Sequence, residues 1–63
     1  MNLQALVTRV RAEFNEMPGL RLTLPQAQRL WGMELTVCET VVDTLVRDAF
    51  LRRTEAGAFT RAA

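Results

Sequence analysis

The stretch LPQAQRLWGMELTVCETVVDTLVRDAF, residues 24–50, decides the fold, because it predicts two helices with apolar faces joined at a single glycine. Thr23 and Gln26 form a capping-box pattern that marks the start of the first of these helices. Pro25 lies in its first turn, where the missing N–H has no cost. The helix is predicted over residues 24–31, with Ala27, Leu30 and Trp31 on its buried side.

The second helix of the pair is predicted over residues 35–48, after Gly32 has supplied the left-handed C-cap. Thr36 with Glu39 makes a second capping-box pattern, and Glu34 is the alternative residue at this start. β-Branched residues are frequent in 36–42 and are poor helix formers, so a strand there is the structural alternative. The spacing of the polar residues favours the helix. Its predicted buried stripe is Cys38, Val41, Val42 and Leu45.

The segments on either side complete the predicted fold. Residues 3–16 have helical spacing of apolar residues, with Asn2 as N-cap, and Pro18-Gly19 ends that helix. Residues 20–23 alternate apolar and polar side chains, which predicts a short strand with Leu20 and Leu22 inward. Residues 50–61 predict a β-hairpin, with strands over 50–54 and 58–61 and the positive φ of its turn supplied by Gly57. The apolar positions of the first helix are Leu3, Leu6, Val7, Val10, Phe14 and Met17.

Composition excludes several classes of function. The 63 residues are enough for one domain with a small core, and 49% of them are hydrophobic, which argues against disorder. The chain has no histidine, and Cys38 is its only cysteine, so an intrachain disulfide, a cysteine–histidine zinc site and histidine acid–base catalysis have no residues. We therefore expect a protein that is not an enzyme and has no cofactor and no metal. No apolar run is long enough to cross a membrane, and the N-terminus lacks a signal-peptide pattern, so a cytoplasmic, soluble protein is expected.

Charge is unevenly distributed along the chain, although the net charge is only +1. Residues 1–46 contain four arginines and five acids, whereas residues 47–63 contain four arginines and two acids. All eight basic residues are arginine, which a GC-rich coding genome explains more simply than selection for phosphate binding. A basic C-terminal third is nevertheless a feature of proteins that contact nucleic-acid phosphates.

The order of predicted elements, α-β-α-α-β-β, resembles that of a winged helix-turn-helix domain, an α+β fold of three helices and a small antiparallel sheet. Residues 22–33, LTLPQAQRLWGM, resemble the first helix and turn of that family's motif. Residues 38–61, CETVVDTLVRDAFLRRTEAGAFTR, resemble its second helix and its wing, the hairpin after that helix. The commonest members are small bacterial transcriptional regulators. The resemblance thus implies a DNA-binding regulator of transcription or of a mobile element.

In that family the second motif helix enters the major groove of double-stranded DNA and the wing contacts phosphates. Carried onto this chain, the base-reading face is the side opposite the buried stripe. The DNA-binding residues that the resemblance implies are Thr36, Glu39, Thr40, Asp43, Thr44 and Arg47 on that helix, with Arg29, Arg52, Arg53 and Arg61 on phosphates. The chain departs from the family at Thr40, where Arg or Lys is common, and at Ala49, where Gly is common. Glu34 and Glu39 likewise stand where the family often has Ser or Asn.

The acidic second helix keeps another function open. Glu39 and Asp43 against Arg47 give its outer face a net charge of −1, which suits a basic protein partner, whereas on DNA these acids must approach a dense array of phosphates. The alternative is therefore a protein-interaction domain that does not bind DNA. A homodimer is also expected, through the first helix or through apolar surface at Leu3 and Leu20, because one small module makes few DNA contacts.

Overall fold

The computed structural model describes residues 2–62, which form an α+β domain with three helices and a three-stranded antiparallel sheet. Helix α1 spans Leu3–Glu16, α2 spans Leu24–Trp31 and α3 spans Leu35–Arg47. The strands are β1 (Leu22–Thr23), β2 (Leu51–Arg53) and β3 (Ala58–Arg61). No helix of the described residues is long and apolar enough to cross a membrane.

The last strand is the central one, since the sheet has the order β1-β3-β2. Leu22 pairs with Phe59 on one side of β3, and Arg53 pairs with the same residue on the other side. Gly57, at φ 82°, allows the turn between β2 and β3 that the sequence predicts. β1 is shorter than the predicted 20–23, and β2 is shorter than the predicted 50–54, because only these residues make ladder pairs with β3.

Helix α1 begins as the sequence predicts, with the Asn2 side chain accepting a hydrogen bond from the Ala5 N–H at 3.3 Å. Its buried face consists of Val7, Val10 and Phe14. Leu3 and Met17, at the two ends of the apolar pattern, are instead exposed.

Helix α2 has the predicted capping box. The Thr23 N–H donates to Gln26 Oε1 at 2.9 Å, and the Gln26 N–H donates to Thr23 Oγ1 at 3.4 Å. Gly32 ends the helix in the left-handed conformation at φ 64°, also as predicted. The prediction that Leu30 is buried is wrong: Leu30 is 55% exposed. Ala27 and Trp31 lie one turn apart on the buried face, and Leu30 is turned about 100° away from Trp31.

Helix α3 excludes the alternative strand over 36–42, because that whole segment is helical. The second capping box is absent: the N-cap is Glu34, whose side chain makes no cap hydrogen bond, so Thr36 is already inside the helix. The helix ends at Arg47, one residue before the predicted end. All four residues of the predicted buried stripe are buried, and burial of this stripe outweighs the low helix propensity of its valines.

The core lies between the helices and one face of the sheet. Phe14 and Trp31 meet edge to face with ring centroids 6.2 Å apart, a contact that contributes about 0.5–1.5 kcal/mol beyond burial. Trp31 is thus a core residue, as the helical register predicts, and its indole N–H donates to Glu13 on α1. The sheet contributes Leu51 and Phe59.

The turn between α3 and β2 is a second left-handed helix end. Ala49 has φ 61°, the Ala49 N–H donates to the Val46 carbonyl at 3.0 Å, and the Phe50 N–H donates to the Leu45 carbonyl at 2.9 Å. These two bonds define a Schellman motif, in which glycine is the usual residue at the left-handed position. The turn into the hairpin therefore keeps the geometry that favours glycine although alanine occupies it.

Candidate nucleic-acid interface

The outer face of α3 is the exposed, polar helical surface of the candidate site. Thr36, Thr40, Asp43 and Arg47 lie opposite the buried stripe and are exposed. Glu39 is exposed on one edge of this face, and Thr44 is half-buried on the other. The structure therefore brings together on one face all six residues that the sequence places there.

The threonines of α3 form a row one turn apart, and their hydroxyls are used within the helix. Thr40 Oγ1 donates to the Thr36 carbonyl at 2.8 Å, and Thr44 Oγ1 donates to the Thr40 carbonyl at 2.7 Å. A hydroxyl that donates to the backbone keeps only its acceptor lone pairs for a ligand. Beside this row, Leu3 and Val37 line a shallow groove of about 230 Å³ together with Thr36 and Thr40.

The opposite edge of α3 is acidic. Glu34 at the N-cap, Glu39 and Asp43 are exposed, and none of them forms an ion pair with any residue of the described range. The ion pair found there joins Arg11 and Asp48, at 3.4 Å. Asp48 is thus paired with α1.

Two arginines of the hairpin are available to a ligand. Arg52 and Arg53 are both exposed, and they point to opposite faces of β2 because neighbouring residues of a strand alternate. The Arg53 guanidinium lies 5.1 Å from the centroid of the Phe59 ring, which holds the side chain over the edge of the core. Arg52 pairs across the sheet with Thr60.

Arg61 is placed differently from the other predicted phosphate ligands. Its Nη1 donates to Asn15 Oδ1 on α1 at 2.9 Å, and its guanidinium lies 4.8 Å from the centroid of Phe50. The Arg11 guanidinium lies 4.9 Å from the same ring. Arg61 Nε is buried and has no hydrogen-bond partner among residues 2–62. These contacts join the end of β3 to α1, so Arg61 is already engaged inside the protein.

Arg29 is exposed on α2 and lines an open groove of about 490 Å³ with Arg21, Leu22, Gln26 and Leu30. This groove was not predicted from the sequence. Arg21 could have been noticed as a second arginine close to α2, but the exposure of Leu30 depends on how α2 is rotated against the core.

Cys38 is fully buried, in agreement with its predicted role as a small apolar residue. Burial raises the pKa of its thiol, and the neighbouring carboxylate of Glu39 raises the pKa further. Among residues 2–62, no group of three or more Cys, Asp or Glu side chains is arranged to hold a metal ion.

No model of a known protein family, no curated protein and no solved structure matches the chain. The candidate site therefore has to be interpreted from its own geometry.

Proposed function

We propose that the protein is a winged helix-turn-helix domain that binds double-stranded DNA, as a small regulator of transcription or of a mobile element. The observation that carries the proposal is the combination of an uncovered α3 face with a hairpin that follows α3 directly and bears Arg52 and Arg53. The sheet order β1-β3-β2 and the left-handed helix end at Gly32 fit the same class of domain.

The dimensions of α3 suit a DNA groove. Its 13 residues make a rod about 20 Å long, and a helix with side chains is about 10–12 Å wide, which matches the width of the major groove of about 12 Å. With α3 in the groove, Arg47 near its end and the arginines of β2 approach the phosphates that flank the groove.

Four arginines remain for phosphate contacts once Arg61 is set aside, and these are Arg29, Arg47, Arg52 and Arg53. Four contacts predict a slope of about −3.6 in a plot of log K against log salt concentration. Affinity should accordingly fall about 150-fold between 50 and 200 mM salt. A slope this small also predicts weak binding by a single copy, since tight operators use more contacts.

The test is fluorescence anisotropy of a labelled mixed-sequence duplex, titrated with the protein across a salt series. Arg52→Ala and Arg53→Ala should each weaken binding and reduce the salt slope by about 1. Arg9→Ala is the matched control, because this substitution removes the same charge from an exposed position on α1 that lies outside the proposed interface. Equal losses in all three variants, or no binding at 50 mM salt, would refute the proposal.

Removing a negative charge from α3 should strengthen DNA binding, the opposite of removing an arginine, and it tests the proposal independently. One carboxylate about 8 Å from one phosphate contributes a repulsion of about 0.5 kcal/mol in water. Asp43→Asn should therefore strengthen DNA binding at least twofold, whereas Glu16→Gln, on the exposed side of α1, should leave it unchanged.

The second candidate function is a protein-interaction domain whose acidic α3 edge binds a basic partner. The observation that favours it is the set of exposed carboxylates of Glu34, Glu39 and Asp43, which form no ion pair with the described residues. They lie beside Leu35, which is 49% exposed. For this function Asp43→Asn should weaken binding of the partner, so the sign of its effect separates the two functions.

A further inference from the structure

We infer that two copies of the chain associate through two equivalent contacts. In each contact, Leu35 of one copy inserts into the groove between β1 and α2 of the other. The inference does not rest on DNA binding, and the pairing competes with it, because Arg29 and Glu39 belong to both proposed surfaces. It identifies a surface different from the expected one at Leu3 and Leu20, because Leu20 is half-buried and the most exposed large apolar residues are Leu30 and Leu35.

The groove is apolar in its floor and basic at its rim. Leu22 and Leu30 provide the apolar surface, and Arg21 and Arg29 provide two positive charges. Neither arginine forms an ion pair with any residue between 2 and 62. An occupant that contacts all four residues combines an aliphatic side chain with anionic groups, and a second copy of the chain supplies these groups as carboxylates.

The start of α3 has that combination. Leu35 lies in the first turn of the helix and is half exposed, with Glu34 directly before it and Glu39 four residues after it. Residues four apart on a helix are neighbours on one face, so Leu35 and Glu39 present a leucine and a carboxylate together. We call Glu34, Leu35 and Glu39 the knob. Its two carboxylates are complementary in charge to the arginines at the rim of the groove, and its leucine matches the apolar floor.

Knob and groove are close together along the chain, which permits a closed pair. Leu30 and Leu35 are five residues apart, at the end of α2 and the start of α3, and the chain between them spans at most about 17 Å. In a two-fold pair each groove receives the other copy's knob, so both contacts form at once and no open chain of copies results.

The small size of the proposed contact surface indicates a weak association. A standard interface buries about 800 Å² on each partner, which is about one fifth of the 4144 Å² of accessible surface of this protein. The groove is lined by five residues and the knob consists of three, fewer than the roughly 20–30 residues that each side of a standard interface contributes. The association is therefore expected to be weak, with a dissociation constant of about 10 µM or above.

Reciprocal charge reversal tests the pairing by sedimentation velocity on the DNA-free protein. The groove variant is Arg21→Glu with Arg29→Glu, and the knob variant is Glu34→Arg with Glu39→Arg. Each variant alone should lose at least about tenfold in association constant, because like charges then meet in both contacts. An equimolar mixture of the two variants should associate again as a mixed pair, since each groove now faces a knob of opposite charge.

Leucine variants supply the matched control. Leu30→Ala should weaken self-association of the otherwise unchanged chain, whereas Leu3→Ala, which truncates another exposed leucine, should leave it unchanged. Circular dichroism of each variant confirms that it is folded. The inference is overturned if the unmodified protein remains monomeric up to about 1 mM, if Leu3→Ala acts as strongly as Leu30→Ala, or if the mixture fails to associate while both variants are folded.

Discussion

Replacing Ala49 by glycine is expected to stabilise the protein, because Ala49 has φ 61° at the left-handed position of the turn after α3. An L-residue in this region costs about 1–2 kcal/mol that glycine does not incur. Glycine loses about 0.4–1 kcal/mol more backbone entropy on folding than alanine does. The difference is a net increase of about 0.5–1 kcal/mol in the free energy of unfolding, equivalent to about 2–8 °C in Tm for a domain of this size.

The chain contains its own control for this prediction. Gly32 ends α2 at φ 64°, and a Cβ added there would have no heavy atom within 4 Å, so Gly32→Ala tests the backbone alone. It should lower the free energy of unfolding by about the amount that Ala49→Gly raises it. Both are measured by urea and thermal unfolding followed by circular dichroism. If Ala49→Gly proves neutral or destabilising while Gly32→Ala destabilises, the left-handed turn at Ala49 carries no strain and the reasoning fails.

Three further predictions concern caps, a core hydrogen bond and the thiol. Thr23→Ala should cost about 1 kcal/mol of stability by removing the capping box of α2, whereas Thr36→Ala should cost much less because Thr36 caps no helix; equal losses would contradict this assignment. Glu13→Ala should lower the free energy of unfolding by about 1–3 kcal/mol, because it leaves the Trp31 N–H without an acceptor. Glu13→Gln keeps an acceptor and should lose much less. Both are measured by urea unfolding followed by the fluorescence of Trp31. Because burial raises the pKa of Cys38, its stabilising contribution is fully present below the ordinary thiol pKa of about 8.5 and decreases as the pH rises above that value. Cys38 is the only side chain of the sequence with an ordinary pKa near that range, since the chain has no Lys, Tyr or His. Cys38→Ala should therefore flatten the profile of the free energy of unfolding against pH above about 8.5. An unchanged slope would refute the assignment.

Local signals in the sequence were sufficient for the elements of the fold. The capping box at Thr23, the glycine at position 32 and the apolar stripe of α3 each depend on residues within one or two turns. The start of α3 was ambiguous because Glu34 and Thr36 both suit an N-cap, and the sequence pattern could not choose between them.

The residues that sequence reasoning misjudged depend on distant contacts. Leu30 shares the i, i+3, i+4 apolar spacing of Ala27 and Trp31, and only the way in which α2 packs on the core decides that Leu30 faces outward. Arg61 resembles a phosphate ligand in the sequence, but its hydrogen bond goes to Asn15, 46 residues earlier in the chain. No local pattern identifies such a partner.

The central position of β3 has a consequence for how the chain acquires its structure during synthesis. Both neighbours of β3 precede it, so neither β1 nor β2 has a strand to pair with until Ala58–Arg61 has been made. The three helices can form earlier, because their hydrogen bonds are local. A nascent chain that stops before Ala58 should therefore be helical but have no sheet, and addition of these four residues should complete both ladders in one step.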